Sequence, residues 1–238
     1  MSEFASRVAI VTGASGNLGS AAAKILNRLG AKLVLVDRHL EALHKIYDDL
    51  VDPNIVLYSA PTNVLDENSV DDMVNEALNR FERIDILLNI VGGYYAGTPV
   101  HETSLDTWDF VLNLNARSVF ITSSAVIPTM LEQKSGKIIN IASRTAIRGT
   151  ANAAAYSASK SAVLRITESM SAELKVSGVN VNCVIPGTID TPDNRLAMPE
   201  VDYNHWVSPD SIAGVIVFLV SDAARNVHGT AIPIFGLS

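Results

Sequence analysis

Seven short runs rich in branched apolar residues recur along the chain, at Val8–Val11, Leu33–Val36, Ile55–Tyr58, Ile84–Ile90, Lys137–Ile141, Val179–Ile185 and Ala231–Phe235. Most are separated by stretches of helical length and character. No other feature constrains the fold as strongly. Strands joined by helix-length crossovers pair in parallel, and right-handed crossovers place helices on both faces of one sheet. The expectation is an α/β fold, a doubly wound sandwich with a mostly parallel seven-stranded sheet. Between the third and fourth runs, Val70, Met73, Val74, Ala77 and Leu78 keep helical spacing behind the acidic start Asp66-Glu67, which reads as a covering helix.

The 238 residues carry no Ser/Gly-rich linker, low-complexity segment or internal repeat, so residues 1–238 read as a single domain. With 48% hydrophobic and 18% charged residues there is apolar material for one large core. From Pro186 to Pro209 no periodicity is visible, and an aperiodic stretch of that length reads as a lid, at about 188–208. The aromatics Tyr94, Tyr95, Tyr203 and Trp206 serve either as pocket walls or as lid packing.

Charge and cysteine usage exclude several classes. A net charge of −7, from 18 Lys+Arg against 25 Asp+Glu with the basic residues scattered, gives no footprint for nucleic acid. The single Cys183 sits in an apolar strand-like run and cannot form an internal disulfide, which fits a reducing cytoplasm. No N-terminal stretch joins a basic head to an apolar run and a cleavage site. The longest apolar run, Ile212–Val220, has nine residues, so no membrane association is expected. The histidines at 39, 44, 101, 205 and 228 form no ligand spacing, and no catalytic metal is expected.

The first apolar run leads into Thr12-Gly-Ala-Ser-Gly-Asn-Leu-Gly19 and then a helix-forming stretch. Strand, glycine-rich turn and helix in this order read as a Rossmann-type nucleotide loop, in which Gly13, Gly16 and Gly19 let the backbone turn tightly and approach a pyrophosphate facing the helix N-terminus, with Ser15, Asn17 and Leu18 as further candidates in the same cofactor site. The second run ends at Asp37, about 20 residues on, where a carboxylate accepts hydrogen bonds from an adenine-ribose diol and favours NAD(H). The adjacent Arg38 can pair with a 2′-phosphate, which keeps NADP(H) open.

Tyr156-Ser-Ala-Ser-Lys160, with Ser143 upstream, is similar to the signature of the short-chain dehydrogenase/reductase family. The resemblance spans nearly the whole chain. It takes in the glycine turn, Asp37, Asn89 after the fourth strand, Asn115, Pro186-Gly187 after the sixth, and Thr191. Tyr and Lys four apart share one helix face, and a nearby ammonium favours a phenolate, so Lys160 is expected to lower the pKa of Tyr156. The resemblance implies a hydride transfer between NAD(H) and a carbonyl or secondary alcohol of a small-molecule substrate. It gives catalytic roles to Asn115, Ser143, Tyr156 and Lys160: Ser143 on the substrate oxygen, Lys160 also on the nicotinamide ribose, and Asn115 supporting a proton-relay water. It extends the cofactor site to Asn63, Val64, Asn89, Gly92, Tyr156, Lys160, Pro186, Gly187, Ile189 and Thr191, and implies a homotetramer or dimer paired through the helix bearing small Ser161, Ala162, Ser169 and Ala172.

The chain departs from the family pattern at three places. Asn17 stands where glycine is commoner, and Asn tolerates a left-handed backbone; Ile90-Val91 replaces Asn-Ala, and Asn63 replaces a frequent Asp. Local similarity to dihydropteridine reductases, in the glycine spacing, Val91–Gly97 and Thr188–Trp206, keeps a pterin substrate as an alternative. A nucleotide-binding scaffold without turnover is the alternative from another class.

Overall fold

Apolar residues on both sides of a strand require cover on both faces. In the computed structural model of the chain, which describes residues 3–237, every residue of the first strand, β1 (Val8–Thr12), is buried. Its alternate side chains feed two separate cores, as the two-residue period of a strand dictates. Ala9 and Val11 pack on one face with Ala22, Ala23 and Leu26 of α1 (Asn17–Arg28), whereas Val8 and Ile10 pack on the other. Next come β2 (Lys32–Val36), α2 (Leu40–Ile46), β3 (Val56–Ser59), α3 (Glu67–Phe81) and β4 (Ile86–Asn89). The chain continues through α4 (Leu105–Leu112), α5 (Ser118–Gln133), β5 (Gly136–Ile141), α6 (Ala154–Leu174) and β6 (Val179–Pro186), and closes with α7 (Pro192–Ala197), α8 (Pro209–Val220) and β7 (Ala231–Ile234).

All pairings in the seven-stranded sheet are parallel, in the order β3-β2-β1-β4-β5-β6-β7. Helix α8 joins α1 on the first face through Ile212, Ile216 and Leu219. On the second face lie α3, α5 and α6, through Val70, Met73, Val126, Met130, Met170 and Leu174. The order reverses at β1, whose neighbours are β2 and β4 in register at Val34 and Leu87 across from Ile10. A crevice opens beyond the carboxyl ends of strands at such a reversal.

One expectation is revised. The 188–208 segment is not aperiodic loop throughout. Thr191 starts α7 by accepting the Asn194 N–H at 3.2 Å, Pro192 occupies its first turn, and Ile189 bridges to Val207. A six-residue helix is too short to show a period. Leu105–Gln133 is a 29-residue helical stretch that is apolar and long enough, by length and composition, to cross a membrane. No long contiguous apolar run marks it in the sequence, because polar residues from Asp106 and Asp109 through Asn113, Asn115, Arg117 and Ser118 to Thr122, Ser123 and Ser124 interrupt it. Here it is α4 and α5 joined end to end, with Ile121, Val126 and Met130 in the core of the sheet's second face.

Candidate active site

The carboxyl ends of β1 and β4 are locked together by one hydroxyl. Thr12 Oγ1 donates to the Leu88 carbonyl (3.2 Å) and accepts the N–H groups of Ile90 (3.0 Å) and Val91 (3.3 Å). Beyond it the chain turns at Gly13, with φ +65°, and α1 begins at Asn17. Among the described non-glycine residues only Glu82, Lys134 and Asn152 have positive φ, so Asn17 does not supply a left-handed turn. It simply opens the helix, and Gly13 takes the left-handed position instead. Gly19 is required by close approach, since a Cβ there would collide with the Gly13 carbonyl. From below, the buried Tyr47 hydroxyl donates to the Ala14 carbonyl at 2.7 Å and braces the turn.

One end of the crevice is a cavity of about 210 Å³ formed by Gly13, Val36, Asp37, Arg38, His39, Thr62, Val64, Val91 and Leu114. Both oxygens of Asp37 are engaged. Oδ2 accepts from the Ser15 N–H (3.1 Å) and hydroxyl (2.6 Å), and Oδ1 from the Arg38 and His39 N–H groups (2.8 and 3.3 Å). Ser15 thus belongs to this site through Asp37. Asn63 does not line the cavity. It is exposed and its Oδ1 accepts the Leu65 N–H, while the preceding Thr62 faces inward. A shift of one residue turns the side chain away, and nothing in the residue types shows which neighbour points in.

The side chain of Asn89 is also engaged elsewhere. It turns from the crevice into a buried polar chain, in which Nδ2 donates to Ser123 (3.0 Å) and Asn140 (2.9 Å) and Oδ1 accepts from Thr122 (2.6 Å). Asn140 in turn donates to Thr167 of α6 at 2.9 Å. These bonds satisfy polar groups that would otherwise be stranded in the core, and tie β4, β5, α5 and α6 beneath the site.

At the other end a cavity of about 640 Å³ brings together Ser143, Tyr156 and Lys160 with Leu18, Gly92, Pro186, Gly187 and Ile189. Ser143 follows β5, and Tyr156 and Lys160 lie one turn apart on α6, 7% and 5% exposed. Asn115 stands one layer back and is fully buried. It sits in a widened π-turn, Asn113–Arg117, between α4 and α5, and is bonded twice to Gly93: Oδ1 accepts the N–H and Nδ2 donates to the carbonyl, both at 3.0 Å. Thr191 is absent from the cavity wall because its hydroxyl is spent on capping α7.

Residues missed by sequence reasoning fill out the walls: His39, Thr62 and Leu114 at one end, and Arg144, Thr145, Asn194 and Met198 at the other. Tyr94 lines the larger cavity, whereas Tyr203 packs against Trp206.

Electrostatics also differ from expectation. Burial raises the pKa of Tyr156, hydrogen bonding with Ser143 opposes the rise, and the nearby Tyr94 adds to it; Lys160 is not among the causes. The Lys160 ammonium instead donates to the Ile141 carbonyl at 2.9 Å. Its own pKa falls from 10.5 to about 8 through burial, with Cys183 opposing. The Cys183 thiol, buried beside it on β6, is pushed up to about 12. The helical spacing aligned the two side chains correctly but carried no information about desolvation, which dominates here.

Fold and site together define a Rossmann-type α/β protein. The profile of the short chain dehydrogenase family matches residues 7–201. The chain is 36% identical over 191 residues to an uncharacterized oxidoreductase of Staphylococcus aureus (strain USA300), spanning 80% of this chain and 81% of that one. It is 31% identical over 225 residues to an uncharacterized oxidoreductase of Staphylococcus haemolyticus (strain JCSC1435), spanning 94% and 95%. Among solved structures, levodione reductase superposes with a TM-score of 0.90 at 32% identity, covering 98% of both chains. The chain belongs to the short-chain dehydrogenase/reductase family, whose members are oxidoreductases that typically use a nicotinamide cofactor.

Proposed function

We propose that the protein is a cytoplasmic NAD(H)-dependent oxidoreductase that interconverts a carbonyl and a secondary alcohol. The observation that carries this reading is the convergence of Ser143, Tyr156 and Lys160 on one cavity, at the carboxyl ends of parallel strands and beside the glycine turn. In this reading an elongated dinucleotide lies along the two cavities. The middle of the crevice is kept open at Gly92, where a Cβ would stand 2.7 Å from Asn115 Oδ1 and 3.0 Å from Lys160 Nζ.

When bound, a nicotinamide dinucleotide supplies or accepts the hydride. The chain's own groups orient and move the proton. Ser143 and Tyr156 hold the substrate oxygen, and the raised pKa keeps the phenol protonated near neutral pH, ready to donate to a carbonyl oxygen as charge develops on it. Lys160 reaches the ribose. Asn115 fixes the Gly93 backbone through two hydrogen bonds, next to Gly92, where an added Cβ would crowd Lys160 Nζ. Pairing of two copies through α6, where Ser169 and Ala172 are exposed, belongs to the same reading, and light scattering of the purified protein tests it.

The deciding experiment follows NADH absorbance with a panel of ketones, levodione and quinonoid pterins. Turnover of a ketone is expected. Preference for the pterin selects that alternative, and saturable NADH binding without turnover of any carbonyl selects the scaffold.

Cofactor choice rests on Asp37. Its carboxylate lies in the smaller cavity with the Ser15 hydroxyl already donating to it, an arrangement that suits a neutral diol and repels a 2′-phosphate. Wild type is expected to prefer NADH. Asp37→Ser should move the NADH:NADPH ratio of kcat/KM toward NADPH by roughly tenfold or more, since one charged hydrogen bond is worth about 1.5–3 kcal/mol. A wild-type preference for NADPH would transfer control of the site to Arg38.

A further inference from the structure

Tyr94 is the aromatic side chain in the site that internal packing explains least. It is 73% exposed, yet it lines the same cavity as Ser143 and Tyr156. Its ring centroid lies 5.0 Å from that of Tyr156, with the planes at 78°. The ring is therefore a side wall standing beside the phenol that the proposed mechanism uses. Its base is held in place: Asn115 grips Gly93 at both its N–H and its carbonyl, and a Cβ on Gly93 would meet Leu114 Cδ2 at 3.0 Å. A large aromatic surface on a fixed backbone, open to water inside a cleft, gains burial only when something else covers it.

The remaining lining narrows what that is. Ile189, Met198 and Ala142 offer apolar surface, and no carboxylate is present among the described residues of the wall. The charged groups there are Arg144 and Lys160, so a cationic ligand would lack a counter-charge.

We infer that Tyr94 is a specificity-determining residue that selects substrates whose carbonyl is carried on or conjugated to a flat ring. The inference rests on the proposed oxidoreductase reading and adds a substrate class to it. With the carbonyl oxygen at Ser143 and Tyr156, an attached planar ring lies alongside Tyr94 and covers it. A linear aliphatic ketone covers less of it and surrenders more rotational freedom on binding. An aromatic partner also gains from the ring quadrupole in offset-stacked or edge-to-face contact.

The test compares acetophenone with 2-octanone, neutral methyl ketones of equal carbon number, in wild type, Tyr94→Phe and Tyr94→Ala. Tyr94 is largely exposed, and circular dichroism melting verifies that each variant is folded. Wild type is expected to favour acetophenone by about tenfold in kcat/KM, Tyr94→Phe to keep that preference, and Tyr94→Ala to lose it chiefly through KM. A second arm needs no turnover. Calorimetric titration of acetophenone into each protein, with and without NAD+, should show weaker binding to Tyr94→Ala than to Tyr94→Phe. An unchanged substrate ratio and unchanged binding in Tyr94→Ala overturn the inference, and so does failure of wild type to bind acetophenone. Binding that depends on Tyr94 in a protein that reduces no carbonyl sustains the aromatic subsite while sinking the oxidoreductase reading.

Discussion

Tyr156→Phe is expected to bind NADH nearly as wild type does and to lose about 10²–10⁴-fold in kcat, the usual contribution of a positioned proton donor. The substitution preserves the ring, its burial and its edge contact with Tyr94, and deletes only the acid. Fluorescence titration with NADH separates binding from chemistry. The pH profile carries a further sign. Because burial holds the Tyr156 pKa above its ordinary value, the phenol stays protonated through neutral pH. Carbonyl reduction should therefore be insensitive to Tyr156 ionisation there, while alcohol oxidation, which needs the phenolate, should climb as pH rises. Near-normal turnover by the Phe variant on a substrate that wild type reduces would mean that solvent or another side chain delivers the proton.

Lys160→Met should separate activity from stability. Losing the ammonium removes the proposed ribose contact, so kcat should fall and KM for NADH should rise. Stability should respond differently, and with a defined pH dependence. Below pH about 8 the ammonium is charged in both the folded and the unfolded chain, and its full burial cost is present. Between about 8 and 10.5 the folded chain has released the proton and the unfolded chain has not, so this group makes the wild type progressively more stable as pH rises. Methionine has no such term. The stability of wild type relative to Lys160→Met should therefore increase across that window, by an amount on the order of a few kcal/mol. Urea unfolding of both proteins at pH 7 and pH 10.5 measures it, and a constant difference would remove the buried-ammonium account.

These two residues also show what was legible before the fold was known. Tyr156 and Lys160 were readable because helical spacing fixes a shared face, and the seven strands because a strand covered on both sides must be apolar at nearly every position. Asp37 was readable because it ends such a strand. The directions in which the Asn89 and Asn63 side chains point were not. A short polar residue beyond a strand looks the same whether it faces a ligand, the solvent or a buried network, and only the neighbouring strands and helices decide. Helix α7 was hidden because six residues hold less than two turns. The direction of the Tyr156 shift was hidden for a different reason: desolvation is a property of the surrounding packing, and four-residue spacing contains no term for it.

The π-turn at Asn113–Arg117 has a consequence for the length of the chain itself. A regular helix in its place would hold the same axial path with one residue fewer, so the turn behaves as a single-residue insertion whose surplus is spent on aiming Asn115 at Gly93. Removing one residue from this stretch would restore an unbroken helix that is locally better hydrogen-bonded. Because the surplus residue is absorbed within the turn, α4 and α5 would keep their bearings, and Ile121, Val126 and Met130 would stay buried, but Asn115 would lose the aim that bonds it to Gly93. A deletion in the regular part of α5 is different, since it turns everything beyond the cut by about 100° and the helix transmits that change of phase along its whole length.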